Sequence, residues 1–154
     1  VNIKNYGIDG CSAPQYSFKI KDINSLLLNL IKSYKNKFEN FSETKVLIDS
    51  VIKHPNYIGG SDSLDSTIMK ISNKKIFCKG GAEGVFLFID LKKEIGGVIK
   101  VADGNERAIP YLIFSLFKKL KIMNSAELTK LKKIYSFKLL NHANLSVGSV
   151  ETML

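Results

Sequence analysis

The chain has 154 residues, 45% of them hydrophobic and 24% charged, with a net charge of +9 and two cysteines. That length fits one domain with a core of ordinary size, which excludes disorder and any need for a disulfide framework or structural metal. No run approaches the roughly 18 apolar residues of a membrane span, and residues 1–12 lack the form of a signal peptide. A soluble, cytoplasmic protein is expected, with Cys11 and Cys78 as reduced thiols.

After an irregular start containing Gly7, Gly10 and Pro14, Asp22 is placed to cap a helix. Its apolar positions Ile23, Leu26, Leu27, Leu30, Ile31 and Tyr34 make one buried face. A second helix is predicted from Ser42 through Ile52, ending ahead of His54-Pro55 because the residue before a proline is pushed out of helical geometry. Gly59-Gly60 marks a turn, and Asp65 to Ile71 a short third helix. Lys75 to Cys78 reads as a strand. Val85 to Leu91 and the run Val98, Ile99 and Val101 after Gly96-Gly97 read as an antiparallel pair. Ile109, Leu112, Ile113, Leu116, Phe117 and Leu120 mark a helix with Pro110 in its first turn. Asn124 with Glu127 has the form of a capping box for another. The class is α/β in the broad sense, α+β, with helices packed on a mainly antiparallel sheet in a single domain.

The basic charge invites a nucleic-acid partner, since lysines that neutralise phosphates supply most non-specific affinity. The distribution opposes this. Arg107 is the only arginine, whereas base-edge and bidentate phosphate recognition favours arginine, and the lysines are dispersed along amphipathic segments. Even the densest group, Lys118, Lys119, Lys121, Lys130, Lys132 and Lys133, is read as a solvated surface. No nucleic-acid or membrane partner is expected.

Two stretches could carry chemistry. In Lys79-Gly80-Gly81-Ala82-Glu83-Gly84 no Gly-Lys-Ser/Thr follows, and the glycines lead into a strand rather than a helix, so this is not a phosphate loop. The glycines permit a left-handed turn or close approach of backbone and ligand, and they set Lys79 at a strand end. Read locally, Lys79 is a solvated lysine. Functionally, it is a side chain held near a reacting hydroxyl or a substrate carboxylate. The second stretch is Asp9-Gly10-Cys11 between Gly7 and Pro14, where a carboxylate and a thiol could aim at one cavity, the thiol as a soft metal ligand. Taken alone, Asp9-Gly10 is a turn and Cys11 a small apolar residue. Cys78, facing away from Lys79, is assigned to the core.

Taken in order and at their separations, "YGIDGCSAP", "HPNYIGG", "STIMK", "CKGGAEGVF" and "KVADGNERA" strongly resemble the second half of the Rhizobium-type, or thermolabile-type, bacterial L-asparaginases. The resemblance covers nearly the whole chain, including Asn141 and Val147-Gly148 in the tail. It implies a fold like the serine β-lactamases and glutaminases. It also implies hydrolysis of the side-chain amide of L-asparagine to L-aspartate and ammonia, by a serine nucleophile of a Ser-x-x-Lys motif with lysines as proton carriers. Lys79 would be the lysine of the Lys-Gly-Gly loop, directed at the serines, with Gly80 allowing close approach to substrate. Cys11 would be one ligand of a zinc beside the substrate, and Asp9 the neighbour that orients it.

The family's nucleophilic serine and its Cys-Ser-Gly-Lys-His stretch precede the Asp-Gly-Cys segment and are not in this sequence. Four stretches, Ser42 to Lys45, Ser50 to Lys53, Ser72 to Lys75 and Ser115 to Lys118, satisfy Ser-x-x-Lys, but at positions that do not correspond, and are read as coincidence. Ser12 and Asn144 stand where the family has glycine, which puts local backbone geometry in question. The expectation is therefore the C-terminal portion of an L-asparaginase, inactive alone, exposing apolar surface that the other portion would cover. Its partners would be L-asparagine and that missing portion, with a homodimer as an open alternative. The contrasting reading is a non-catalytic remnant or basic binding module that meets anionic partners.

Overall fold

A computed structural model describes residues 5–154. The first helix, α1 (Ile20–Tyr34), forms where the apolar spacing requires it and buries Leu27 and Ile31, with Leu30 and Tyr34 partly covered. Its cap differs from expectation. Lys19 is the capping residue, and Asp22 already donates its own amide to the Lys19 carbonyl at 2.9 Å. Asp22 therefore lies within the first turn, where its charge favours the helix dipole instead of closing the end. Helix α2 (Phe41–Lys53) places Thr44, Ile48 and Ile52 on one buried stripe and stops ahead of His54-Pro55. Residues around the expected Gly59-Gly60 turn form a single helical turn, α3 (Asn56–Gly59), which ends as Gly60 swings to φ +94°. The next, α4 (Leu64–Ile71), is capped by the Ser63 hydroxyl, and Asp65 through Met69 are all buried.

Between α4 and the second half of the chain lies a three-stranded antiparallel sheet in the order β3-β4-β5. Its strands are β3 (Ile76–Gly81), β4 (Val85–Asp90) and β5 (Ile95–Lys100). Strand β3 runs three residues beyond the expected end at Cys78, because Gly80 and Gly81 continue the ladder opposite Phe86 and Val85. Lys79 thus stands inside a strand, opposite Leu87, rather than at its end.

Alternation assigns the two faces of the sheet. Cys78, Phe86 and Phe88 share one face with Gly97, where a methyl group would come within 2.4 Å of the Phe88 ring. Gly96 faces the other way, and there Leu27 and Ile31 of α1 pack against it at 3.3 and 3.5 Å from the position of a Cβ. On the Phe88 face sits α5 (Ile109–Lys119), whose Phe117 meets Phe88 edge to face at 4.9 Å. Helix α4 covers the same face at β3, with the Cys78 thiol donating to the Asp65 carbonyl at 3.4 Å. Cys78 is fully buried, as expected.

A 3-10 turn (Glu106–Ala108) leads into α5, and Pro110 occupies its first turn. The capping box at α6 (Ser125–Ile134) is present in both directions, Glu127 amide to Asn124 Oδ1 at 2.9 Å and Asn124 amide to Glu127 Oε2 at 2.7 Å. Two short hairpins complete the fold: β1 (Tyr6–Ile8) with β2 (Pro14–Tyr16), and β6 (Lys138–Leu140) with β7 (Ser146–Ser149). The class is mixed α/β, of the α+β kind, with helices on antiparallel sheets. The described residues contain no helix long and apolar enough to cross a membrane.

Candidate functional site

The glycine-rich stretches meet. At one end of the three-stranded sheet a cleft of about 430 Å³ is lined by Gly59, the start of α4, Lys79 to Ala82, the start of α5 and Tyr135. Three of the five stretches quoted above, "HPNYIGG", "CKGGAEGVF" and "KVADGNERA", supply residues to its lining.

The wall is built from the strand outwards. Lys79 is exposed and donates from Nζ to the carbonyl of Gly80. The amide of Gly80 donates to Asp65 Oδ2 at 3.1 Å. Asp65 is only 4% exposed, and its Oδ1 accepts from the Ser66 amide at 2.8 Å and from the Ser63 hydroxyl. The space for this carboxylate depends on Gly59, where a Cβ would lie 2.7 Å from Oδ1 and 2.9 Å from the Ser63 oxygen. Beyond Gly81 the chain reverses through Glu83 and Gly84, both at positive φ. A methyl at Gly84 would stand 2.9 Å from Val101 Cβ and 3.1 Å from the Gly104 backbone. The turn of the Lys-Gly-Gly stretch is thus seated directly on the Ala102-Asp103-Gly104 loop. That loop is fixed by Asp103, which accepts the Asn105 amide at 2.9 Å and pairs with Arg107 at 2.8 Å.

Burial pushes the Cys78 thiol well above its ordinary range, with the negative charge of Asp65 adding to the effect. It is a core thiol, poorly suited to nucleophilic work. Burial also raises the Tyr135 phenol at the opposite side of the cleft. Asp65 itself is the site residue that the sequence reading missed. The only signal was a carboxylate two residues after a capping serine, and nothing local tied it to Gly80.

Asp9 and Cys11 do not line this cleft. They lie in the turn between β1 and β2. Asp9 Oδ1 accepts the amides of Cys11 and Ala13 at 2.8 and 2.9 Å, and Oδ2 accepts from Gln15 Nε2 at 3.0 Å. The Ala13 and Cys11 amides hold the Asp9 carboxyl below its usual range. The Cys11 thiol is free and exposed. The described residues contain no group of three His, Cys, Asp or Glu side chains able to hold a metal ion. Ser12 and Asn144, where the resemblance leads to an expectation of glycine, both adopt a left-handed backbone, at φ 63° and 60°. Both hold the geometry that a glycine adopts freely, at some conformational cost.

None of the four Ser-x-x-Lys serines lines the cleft. Ser72 is buried and donates to the Met69 carbonyl at 3.2 Å, and Ser115 is bonded to Thr152. The lysines of the basic cluster are all exposed. A search of curated proteins found no match to the chain. The family model described as L-asparaginase II matches residues 1–152. With nearly the full length matched, and the cleft assembled from the stretches that carry the resemblance, the chain belongs to the L-asparaginase II family.

Proposed function

We propose that this chain supplies the lysine-bearing wall of an L-asparaginase active site, and that the serine nucleophile comes from a preceding portion of the enzyme. The observation that carries this reading is the placement of Lys79 and Gly80 on one cleft in a chain matched to the family. A serine hydroxyl is a weak nucleophile until a base takes its proton, and a lysine amine can act as that base. In the proposed reaction the serine oxygen attacks the side-chain carbonyl of L-asparagine and the carbon–nitrogen bond breaks. The departing nitrogen takes up the proton, and water then releases L-aspartate. Lys79 is assigned the proton transfer, and the backbone at Gly80 the approach of substrate.

The only serine lining the cleft is Ser63, among the described residues, and its hydroxyl is occupied by the Gly60 carbonyl and Asp65 while capping α4. That supports a nucleophile from elsewhere. The described residues do not form a zinc site by themselves, since Cys11 offers one thiolate and both oxygens of Asp9 are committed to their turn. Any zinc would need its other ligands from the preceding portion. A cytoplasmic location is assigned on the two reduced thiols.

Ammonia release from L-asparagine tests the reading, first with this chain alone and then mixed with a separately expressed, serine-bearing N-terminal portion. Release in the mixture only, abolished by Lys79→Ala, is the expected result. No release from the mixture would leave a chain that keeps the family's stretches without its reaction.

A further inference from the structure

Asp65 spends a buried carboxylate on the Lys-Gly-Gly strand. Removing a carboxylate from water is costly unless its oxygens are satisfied. Two of its three donors, the Ser66 amide and the Ser63 hydroxyl, belong to its own helix turn. The third, the Gly80 amide at 3.1 Å, lies fifteen residues away. Strand β3 is an edge of its sheet, so outward-pointing amides there have no strand partner, and the one at Gly80 is taken by Asp65. The same glycine offers its carbonyl to the Lys79 ammonium. Gly59 leaves the room that Oδ1 occupies.

We propose that Asp65 is a positioning residue for Lys79: it fixes Gly80 through the amide, and Gly80 in turn fixes where the ammonium rests. This deepens the assignment of the cleft as an asparaginase site and rests on it for its catalytic meaning, although its test does not depend on turnover. Asp65 never touches Lys79 in this arrangement. A purely structural role for Asp65, as an aid to the α4 cap, would leave Lys79 indifferent to it.

The experiment is nuclear magnetic resonance on the isotopically labelled full chain, following the Gly80 and Ser66 amides and the Lys79 ε-carbon through an acid titration. The ionisable groups around this corner are Lys79 on β3, Glu106 ahead of α5, Tyr135 after α6, Asp62 before α4 and the buried Cys78 thiol. Asp62 and Glu106 are exposed and bond to neither amide. The expected result is that Gly80, Ser66 and the Lys79 ε-carbon shift together as acid is added, while the Phe88 amide stays still. In Asp65→Asn, hydrogen exchange at Gly80 should quicken about tenfold and the Lys79 ε-carbon should shift, with Phe88 and Ile89 as protected as before. If Lys79 is unmoved in the titration, or if protection falls evenly across β3 and β4, the positioning role is overturned. Should the variant fail to fold, the titration of the unaltered chain decides alone. Ammonia release without the coupled titration would sink this proposal and leave the asparaginase reading standing. The coupled titration without ammonia release would do the reverse.

Discussion

The cleft wall and the amino-terminal turn use the same device to opposite ends. In both, a carboxylate gathers backbone amides next to a glycine. Asp9 collects its donors within six residues and remains in solvent, so the turn is complete in itself. Asp65 is buried and reaches fifteen residues along the chain to Gly80, so its bond exists only when α4 and β3 are packed together. The difference separates what local sequence can build from what tertiary packing must hold. It also separates the Gly80 amide, held by packing, from Cys11, which is simply displayed.

The harshest way to break this contrast is to empty the core beneath the cleft. Phe88→Ala removes a ring that is 1% exposed and packed against Phe117, and it should cost about 3–5 kcal/mol of stability, read from the shift of a denaturant midpoint. The cleft wall should loosen with the sheet, and faster exchange at the Gly80 amide would show it. The Asp9 turn should not follow. If exchange at the Cys11 amide rises as steeply as at Gly80, the turn leans on the core and is not self-contained.

The two thiols sharpen the same contrast. Cys11 is exposed, whereas burial raises the Cys78 thiol and its Sγ donates inward to the Asp65 carbonyl. At neutral pH a maleimide should modify Cys11 at least about a hundredfold faster than Cys78, which becomes available only as the chain opens. Mass spectrometry after timed quenching would give both rates. Comparable rates would mean that the sheet opens readily at β3 and that Lys79 has no fixed wall behind it.

How much of this was legible follows from where each signal resides. Helices α1, α2, α5 and α6 were readable because apolar residues recur along one face, and the α6 capping box occupies four consecutive positions. The terminal hairpins were not, because their strands of three or four residues are exposed throughout and carry no alternation. Strand β3 looked finished at Cys78, since Lys79-Gly80-Gly81 has poor strand character. Pairing with Phe86 and Val85 overrides that propensity. Lys79 and Gly80 stand out in the sequence because a lysine beside paired glycines is unusual, and both line the cleft. Asp65 does not stand out, because a contact between residues fifteen apart leaves no periodic trace. Asp9 is visible as a carboxylate in a glycine-bounded turn, and its hydrogen bonds end within that turn.

Glycines give a smaller effect of the same kind. Gly84 is at φ +66° and a methyl there would meet Val101 at 2.9 Å, so Gly84→Ala should cost about 1–3 kcal/mol. A methyl added at Gly10 would find no other atom within 4 Å, and Gly10→Ala should stay within about 0.5 kcal/mol. Thermal unfolding of the pair, run side by side, reads the difference. Equal losses would mean that the Lys-Gly-Gly turn is not seated on the Gly104 loop.

The smallest effect belongs to Asp9. Its carboxyl is held below the ordinary value by the Ala13 and Cys11 amides, so the folded turn binds a proton less readily than the unfolded chain. A depressed carboxyl contributes stability that is fully present above the ordinary carboxylate value and is lost as pH falls through the lowered one. The contribution should be slight, because the group faces water, which competes for every bond it makes. The Cys11 and Ala13 amide protons should shift together as acid protonates Asp9, and the Gly80 amide in Asp65→Asn should not follow Asp9. If it does, the two regions are coupled through the fold, and the separation between displayed turn and packed wall fails.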